Sequence, residues 1–254
     1  MGEGRGTLSA LAEPARRAKR SVVEWRALRQ VPAGVRPLAT TIRREHLTYS
    51  TPAQLASLVE LCERGERGNA DAAIVEAGCA RGGSALLMCA TKSKGRPLDV
   101  YDVFGMIPPP SEQDGPDMQE RYREIASGQA VALDGGRYYA YSDDLAAEVA
   151  RTFAEHGYPI EENSVRLIKG KVQDTMAIDG PVCVGHIDVD WHDPVMHCLE
   201  QLTPHLVEGG SIVLRAYNDW SGCRSAAEEY FDRVGRSGFD FDDSAGHLVV
   251  TRRG

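Results

Sequence analysis

The sequence lacks long apolar segments and closely spaced cysteine pairs. No apolar run approaches the roughly 20 residues that a membrane-spanning helix needs, and the sequence opens with charged residues and glycine rather than a hydrophobic signal segment. None of the six cysteines forms a CxxC pair, and several lie in apolar runs where a reduced thiol packs as a small hydrophobic side chain. We therefore expect a cytoplasmic protein without membrane contacts.

An excess of basic residues is also missing. The chain has 29 Lys and Arg against 37 Asp and Glu, a formal net charge of -8. Proteins that bind nucleic acid usually carry a basic face that neutralises phosphates, so nucleic acid is disfavoured as a partner. The 254 residues, of which 42% are hydrophobic, suit one α/β domain spanning the whole of residues 1–254.

Short apolar runs alternate with helical patterns along the chain. Residues 50–62 have apolar positions at helical spacing behind a Ser-Thr-Pro start, which predicts a helix ahead of the first core strand. Alternation of strands and helices is typical of a mostly parallel, doubly wound sheet. The predicted strands are residues 72–76, 97–102, 164–168, 182–190 and 211–214, followed by a closing pair at 239–242 and 247–251 that supplies the antiparallel edge.

Two segments fall outside this alternation. Residues 1–46 are interpreted as an N-terminal helical arm, with a helix around residues 15–28. Residues 105–141 contain Pro108-Pro109-Pro110 and a following turn sequence, which predict an irregular insertion rather than a strand. Long insertions of this kind are commonly lids over a binding site, and a solvated surface loop is the alternative.

A glycine-rich turn follows the first predicted strand. Gly78, Gly82 and Gly83 let the backbone approach a ligand, and the helix that begins near Ser84 directs its amides outward. The turn suits a carboxylate, a phosphate or a small charged cofactor, although its spacing is not the GxGxxG of dinucleotide folds. Glu76 and Asp102 end the first two strands, and an acid at the second position typically binds ribose hydroxyls, with helix capping as the alternative.

A dense group of acids and imidazoles follows the fourth strand, in residues 186–193. Strand alternation would place Asp188 and Asp190 on one face, where paired carboxylates bind a hard cation or acquire separated pKa values. His192 is a second candidate base, or a polar residue at a helix start. His186 is interpreted as a core or supporting histidine. Trp191 and Trp220 would wall a pocket or simply pack.

Together these motifs resemble the macrocin O-methyltransferase family, class I S-adenosylmethionine (SAM) enzymes that methylate sugar or phenol hydroxyls in antibiotic biosynthesis. The likeness covers residues 47–231, with blocks at 76–85, 101–108, 170–176, 187–194 and 217–224. It implies a Rossmann-like fold, SAM as cofactor, a sugar or glycosylated natural product as acceptor, and a homo-oligomer. The resemblance implies a cofactor site made of Thr48, Tyr49, Ser50, Glu76, Gly78, Gly82, Ser84, Asp102, Asp174 and Asp188.

The chain departs from the family where a metal is expected. The resemblance implies a divalent ion such as Mg²⁺ on Asp188 and a general base at Asp190, with two further metal-binding acids just before Tyr217. Those two positions hold Arg215 and Ala216. Most of the hard oxygen ligands that Mg²⁺ takes from protein are therefore missing.

Three hypotheses account for this departure. In the first, Arg215 replaces the cation, pairs with Asp188 and leaves Asp190 to deprotonate the acceptor hydroxyl. In the second, Asp219 or Asn218 supplies a replacement metal ligand. In the third, the chain is a noncatalytic cofactor-binding or structural partner protein of the same fold. An NAD-type oxidoreductase is disfavoured by the glycine spacing.

Overall fold

The computed structural model describes residue 26 and residues 28–68 and 71–254. Most of the predicted N-terminal arm, including nearly all of the helix expected over residues 15–28, lies outside the described residues. Within the described part of the chain, no helix combines the length and apolar character that crossing a membrane requires.

The described residues form one seven-stranded sheet with the order β3-β2-β1-β4-β5-β7-β6. Strands β1 to β5 are mutually parallel, whereas β7 runs antiparallel to both β5 and β6. The predicted mostly parallel α/β fold with an antiparallel edge is therefore confirmed. The strands are β1 (Ala73–Ala77), β2 (Leu98–Asp102), β3 (Val165–Lys169), β4 (Val182–Ile187), β5 (Leu206–Leu214), β6 (Phe239–Asp242) and β7 (Leu248–Arg252).

Helices cover both faces of the sheet. The α-helices are α1 (Arg36–Arg44), α2 (Pro52–Gly68), α3 (Gly83–Thr91), α4 (Pro116–Ala126), α5 (Leu145–Glu155), α6 (Val172–Thr175), α7 (His192–Leu202) and α8 (Ser221–Val234). Ile74 and Val75 are neighbours in β1 but belong to different apolar clusters, because successive strand side chains point to opposite faces. One cluster includes residues of α1, α2, α3 and α5, and the other includes residues of α7 and α8.

The start of α2 shows why the sequence folds locally as it does. The Thr51 backbone N–H donates to Gln54 Oε1 at 2.8 Å, and the Gln54 N–H donates to Thr51 Oγ1 at 3.3 Å. This reciprocal pair is a capping box that satisfies two amides at the helix start. The predicted helix is confirmed, and it continues to Gly68 rather than ending near residue 62.

Two strand boundaries differ from the sequence prediction by more than one residue. Strand β4 ends at Ile187 instead of residue 190, so Asp188 and Asp190 lie in the loop after it. The predicted strand boundary was therefore wrong, because the apolar Val189 extended the pattern beyond the hydrogen-bonded ladder. Asp188 and Asp190 nevertheless lie beside the same guanidinium and line the same cavity. Strand β5 begins at Leu206 rather than at residue 211. Gly209 and Gly210 indicated a turn in the sequence, so the first half of this strand was not predicted.

The insertion at residues 105–141 is more ordered than an irregular loop. It contains helix α4 and a 3₁₀ turn at Tyr139–Tyr141. Its first half is hydrogen-bonded to the loop after β4: Trp191 Nε1 donates to the Pro108 carbonyl at 2.8 Å, and the His192 N–H donates to Asp114 Oδ1 at 2.8 Å. These bonds hold the insertion against the carboxyl edge of the sheet.

Candidate active site

A cavity of about 280 Å³ opens at the carboxyl ends of the parallel strands. Gly78 follows β1, Asp102 ends β2, Asp188 follows β4 and Arg215 follows β5, and all four residues line it. In open α/β sheets, ligands bind in this crevice, where the strand order reverses. The order changes direction between β1 and β4, which brings the glycine loop and the acid loop to the same cavity.

The glycine loop and the acid loop are in direct backbone contact. Gly78 has a φ of +85°, and a Cβ built there would lie 2.5 Å from the carbonyl oxygen of Asp188. The Asp188 N–H donates to the Ala77 carbonyl at 2.8 Å, and the Gly78 N–H donates to the Tyr101 carbonyl at 2.8 Å. Both the backbone conformation and the space require glycine at position 78.

Asp102 holds the glycine loop in shape. Its Oδ2 accepts hydrogen bonds from the N–H groups of Cys79 at 2.8 Å and Ala80 at 3.3 Å, and its Oδ1 accepts from the Phe104 N–H at 2.7 Å. Burial raises the pKa of Asp102, and the three backbone donors oppose that shift. Asp102 lines the cavity, so binding of a ribose hydroxyl stays a prediction for it.

Glu76 lies beneath the glycine loop rather than in the cavity. Its side chain is fully buried, and Oε1 is 2.8 Å from His186 Nδ1. Burial raises the pKa of Glu76, whereas hydrogen bonds with His186 and Ser84 lower it. Glu76, Ser84 and His186 thus form a buried polar group that supports the loop from below, and Glu76 is not among the residues that line the cavity.

Arg215 occupies the centre of the acid loop. Its Nε donates to Asp188 Oδ1, its Nη1 donates to Asp219 Oδ2 at 2.7 Å, and its Nη2 lies 3.8 Å from Asp190 Oδ1. Burial opposes the charge of the guanidinium, but the carboxylates of Asp188 and Asp190 raise the pKa of Arg215 above its ordinary value. One fixed cation therefore neutralises part of a cluster of three acids.

Asp190 has the properties of a base that works near neutral pH. Its side chain keeps 29% exposure toward the cavity, while Oδ1 is buried and accepts no hydrogen bond from the described residues. Burial raises the pKa of Asp190 to about 7, and the nearby Arg215 charge limits the rise. A carboxyl group with this pKa both accepts and releases protons at physiological pH.

The donor set does not fit Mg²⁺. Among the residues that the structure describes, no group of three or more His, Cys, Asp or Glu side chains is arranged to hold a metal ion. The Arg215 guanidinium lies between Asp188, Asp190 and Asp219, where a cation would otherwise be expected. Asp219 contacts Arg215, and its role as a replacement metal ligand, the second hypothesis from the sequence, stays a prediction.

Comparison with known proteins identifies the family. Residues 29–236 match the family model described as Macrocin-O-methyltransferase (TylF). The chain belongs to the macrocin O-methyltransferase family.

One curated relative is the 8-demethyl-8-(2,3-dimethoxy-alpha-L-rhamnosyl)-tetracenomycin-C 4'-O-methyltransferase of Streptomyces olivaceus. It is 29% identical to the chain over 171 residues, which cover 65% of this chain and 59% of the relative. The match therefore spans less than two thirds of the length of that enzyme.

Two solved structures show the same fold. The O-methyltransferase NovP aligns with a TM-score of 0.67 at 22% identity over 82% of each chain. The O-methyltransferase TomG from Streptomyces achromogenes, solved in complex with SAM, aligns with a TM-score of 0.50 at 13% identity over 88% of this chain and 91% of its own. The matches establish a Rossmann-like methyltransferase fold.

Several residues expected at the site of this family member lie beside the cavity instead. The Ser50 N–H donates to Thr48 Oγ1 at 3.1 Å, and both side chains are buried in the turn before α2. Tyr49, between them, lines the cavity. Asp174 is exposed on α6, next to the cavity residues Val172 and Gln173. Gly82 and Ser84 belong to the start of α3, where Gly82 has a φ of +83°.

The His192 side chain makes polar contacts with two acids and does not line the cavity. Its Nδ1 is 3.1 Å from Asp193 Oδ1 and its Nε2 is 3.1 Å from Glu229 Oε2. It begins helix α7 and is not among the residues that line the cavity. The geometry favours the alternative of a hydrogen-bonded polar residue at a helix start, and it leaves Asp190 as the candidate base.

The insertion contributes a wall that sequence reasoning did not resolve. Tyr138 and Tyr139 have ring centroids 4.4 Å apart, and Tyr49 meets Tyr139 edge-on at 6.2 Å. The Arg121 guanidinium lies 5.3 Å from the Tyr138 ring centroid. The sequence signal that could have indicated this wall is the tyrosine-rich stretch within the insertion. The cavity residues of this wall are Ile107, Pro108, Pro109, Arg121, Tyr138 and Tyr139, and Trp191 and Trp220 also line the cavity.

Proposed function

We propose that the chain is a SAM-dependent O-methyltransferase whose acceptor is a hydroxyl group of a sugar or glycosylated natural product. Family membership supports the reaction class, and the name of the tetracenomycin relative supports a sugar hydroxyl as acceptor. The observation that carries the proposal is the pair formed by Asp190 and Arg215, an acid that lines the cavity with a partly exposed side chain, beside a fixed cation.

The strand-edge half of the cavity fits SAM. The bare backbone at Gly78 and the acid Asp102 provide the close approach and the acceptor oxygens that an adenosine cofactor requires. Tyr49 and residues 170–173 line the same space, and Glu76 and Ser84 support the loop beneath it. SAM, when bound, supplies an electrophilic methyl group. The protein holds the cofactor and presents the acceptor oxygen to that methyl group in line.

Asp190 acts as the general base in this proposal. The carboxylate oxygen that faces the cavity, rather than the buried Oδ1, would take the proton of the acceptor hydroxyl, and a pKa of about 7 matches this task. Arg215 supplies the positive charge that stabilises the developing alkoxide. The attraction between a preorganised guanidinium and an alkoxide is strongest where water is excluded. Arg215 thereby takes the role that the family resemblance assigns to Mg²⁺.

The insertion at residues 105–141 acts as the lid and acceptor wall. Its tyrosines present ring faces and edges on which the apolar face of a sugar or an aromatic scaffold packs. Its hydrogen bonds through Pro108 and Asp114 keep this wall beside Asp190 and limit access of water.

The test is a methyl-transfer assay with labelled SAM and a panel of rhamnosides and other glycosides, with mass spectrometry of the products. We expect turnover that persists in EDTA, and a drop in kcat of about 10²- to 10⁴-fold in Asp190→Asn. Asp232→Asn, an exposed acid on α8, is the matched control and should retain wild-type activity.

Two results would contradict the proposal. Calorimetric binding of SAM without turnover across the panel would favour the noncatalytic alternative. Activity abolished by EDTA and restored by Mg²⁺ would favour a metal over Arg215. Light scattering during size-exclusion chromatography tests the expected homo-oligomer independently.

A further inference from the structure

The Arg215 guanidinium is held at two of its three nitrogens. Nε donates to Asp188, which follows β4, and Nη1 donates to Asp219 Oδ2 at 2.7 Å, from the turn after β5. A guanidinium is planar and its donors point in fixed directions, so two bonds made by different nitrogens fix both its position and its plane. The third nitrogen, Nη2, is thereby left 3.8 Å from Asp190 Oδ1, beyond the length of a hydrogen bond.

Asp219 is well placed to determine that plane. Its backbone is fixed by a turn in which the N–H groups of Asp219 and Trp220 donate to the Ala216 carbonyl at 2.9 and 3.0 Å. Its side chain is half exposed and is not among those that line the cavity. Asp219 therefore acts on the cavity through Arg215 rather than by touching a ligand there.

Without Asp219, the guanidinium has a competing partner. Asp190 Oδ1 is buried and accepts no hydrogen bond from the described residues, and a shift of about 1 Å would bring Nη2 within the usual length of a charged hydrogen bond. Rotation about the bonds next to Nε, with Nε still on Asp188, produces such a shift. Arg215 would then form a direct ion pair with the Asp190 carboxylate, and a carboxylate paired in this way is a weaker base toward the acceptor hydroxyl.

We propose that Asp219 is a positioning residue that holds the Arg215 guanidinium away from Asp190 and so keeps the Asp190 carboxylate free of a direct ion pair and available as a base to the acceptor hydroxyl. This inference rests on the proposed function, in which Asp190 is the base. It assigns to Asp219 the role of anchoring the Arg215 guanidinium.

The experiment compares Asp219→Ala, Asp219→Asn and Asp219→Glu. Asp232→Ala is the matched control, because Asp232 pairs with Arg236 at the same four-residue spacing and at 3.0 Å on an exposed surface. The first readout is the ¹⁵N NMR signal of the Arg215 side chain, assigned by its loss in Arg215→Lys. It measures rotation of the guanidinium without any acceptor or turnover.

We expect the wild-type Arg215 signals to show slow guanidinium rotation and Asp219→Ala to show altered Nη signals, with the control unchanged. In the methyl-transfer assay, Asp219→Ala should lower kcat by about 10- to 100-fold, since misplacement by about 1 Å costs up to that factor. The KM for SAM should change less than about twofold, because the cofactor half of the cavity is untouched. Asp219→Asn, which keeps an acceptor oxygen, should be intermediate, and Asp219→Glu should recover activity.

Wild-type Arg215 signals in Asp219→Ala would overturn the inference, as would a kcat equal to that of Asp232→Ala. Altered Arg215 signals in Asp219→Ala, together with no methyl transfer by any variant including the wild type, would instead overturn the proposed function and leave the anchoring role of Asp219 supported. Unchanged Arg215 signals in Asp219→Ala, together with normal methyl transfer by the wild type, would overturn the anchoring role of Asp219 and leave the proposed function supported.

Discussion

Glu76 Oε1 and His186 Nδ1 lie 2.8 Å apart at register-paired positions of β1 and β4, and both side chains are buried. The pair ties the strand that leads into the glycine loop to the strand that leads into the acid loop. The two halves of the cavity are thus joined by a polar contact in the middle of the sheet.

Replacing His186 alone should destabilise the protein strongly. His186→Leu leaves a buried carboxyl group without its hydrogen-bond partner, a change that costs about 1–3 kcal/mol. Urea unfolding followed by circular dichroism measures the loss. The double variant with Glu76→Leu removes the orphaned carboxyl group and should be less destabilised than His186→Leu alone. Equal stability of His186→Leu and wild type would refute a structural role for the pair.

Removing the guanidinium should create a cation site. In Arg215→Ala, the carboxylates of Asp188, Asp190 and Asp219 lose the guanidinium that separates them, and we expect their oxygens to converge on a hard cation such as Mn²⁺ or Mg²⁺. Loss of the free Mn²⁺ signal in electron paramagnetic resonance reports binding. Wild type and Arg215→Lys, which keeps the positive charge, should leave that signal unchanged. Failure of Arg215→Ala to bind Mn²⁺ would show that the three acids do not converge as described.

Gly222→Ala should impair activity through the acid loop. A Cβ at position 222 would lie 2.5 Å from Asp114 Oδ1, 2.9 Å from the Asp190 carbonyl oxygen and 3.0 Å from the His192 nitrogen. The added methyl group therefore displaces both the insertion and the loop that carries Asp190, the proposed base, with an overpacking cost of about 1–3 kcal/mol. Gly238→Ala is the matched control, because nothing lies within 4 Å of its Cβ. Comparable kcat values in the two variants would count against this close packing.

His247 should make the protein sensitive to mild acid. The imidazole is buried, with Nε2 3.0 Å from Ser57 Oγ, and burial lowers the pKa of His247 to about 3. Because the unfolded chain takes up this proton near pH 6.5, stability falls as the pH drops below that value and continues to fall toward pH 3.

The slope for this group approaches roughly 1.4 kcal/mol per pH unit. Urea unfolding of wild type and His247→Gln between pH 7.5 and pH 4.5 measures it. The variant should lose stability less steeply as the pH falls. Parallel curves for the two proteins would assign the acid sensitivity to other groups.

The fold was predictable because alternating apolar runs and helical patterns depend on local periodicity. The strand boundaries were harder to predict where two sequence signals disagree. Val189 continues the apolar alternation of β4, yet the ladder ends at Ile187, since the chain turns there to reach the insertion. Gly209 and Gly210 made the start of β5 read as a turn, whereas pairing with β4 begins at Leu206.

The candidate site was predictable as a set of loops but not as a set of contacts. The sequence placed Asp188, Asp190 and Arg215 near one another, and the structure brings them together. Which acid pairs with the guanidinium depends on side-chain directions that no pattern encodes, and so does the turning of His192 toward Asp193 and Glu229. The tyrosine wall depends on how residues 105–141 fold back over the sheet, which is a long-range property of the chain.

The backbone contact between Gly78 and Asp188 has a consequence for how such an enzyme diversifies. The loop expected to hold the cofactor and the loop that carries the acids form one body, joined by backbone contacts. The insertion reaches that body through a few hydrogen bonds, such as those at Pro108 and Asp114. Substitutions in the remaining insertion residues should therefore reshape the insertion wall of the cavity while Asp188, Asp190 and Arg215 keep their places.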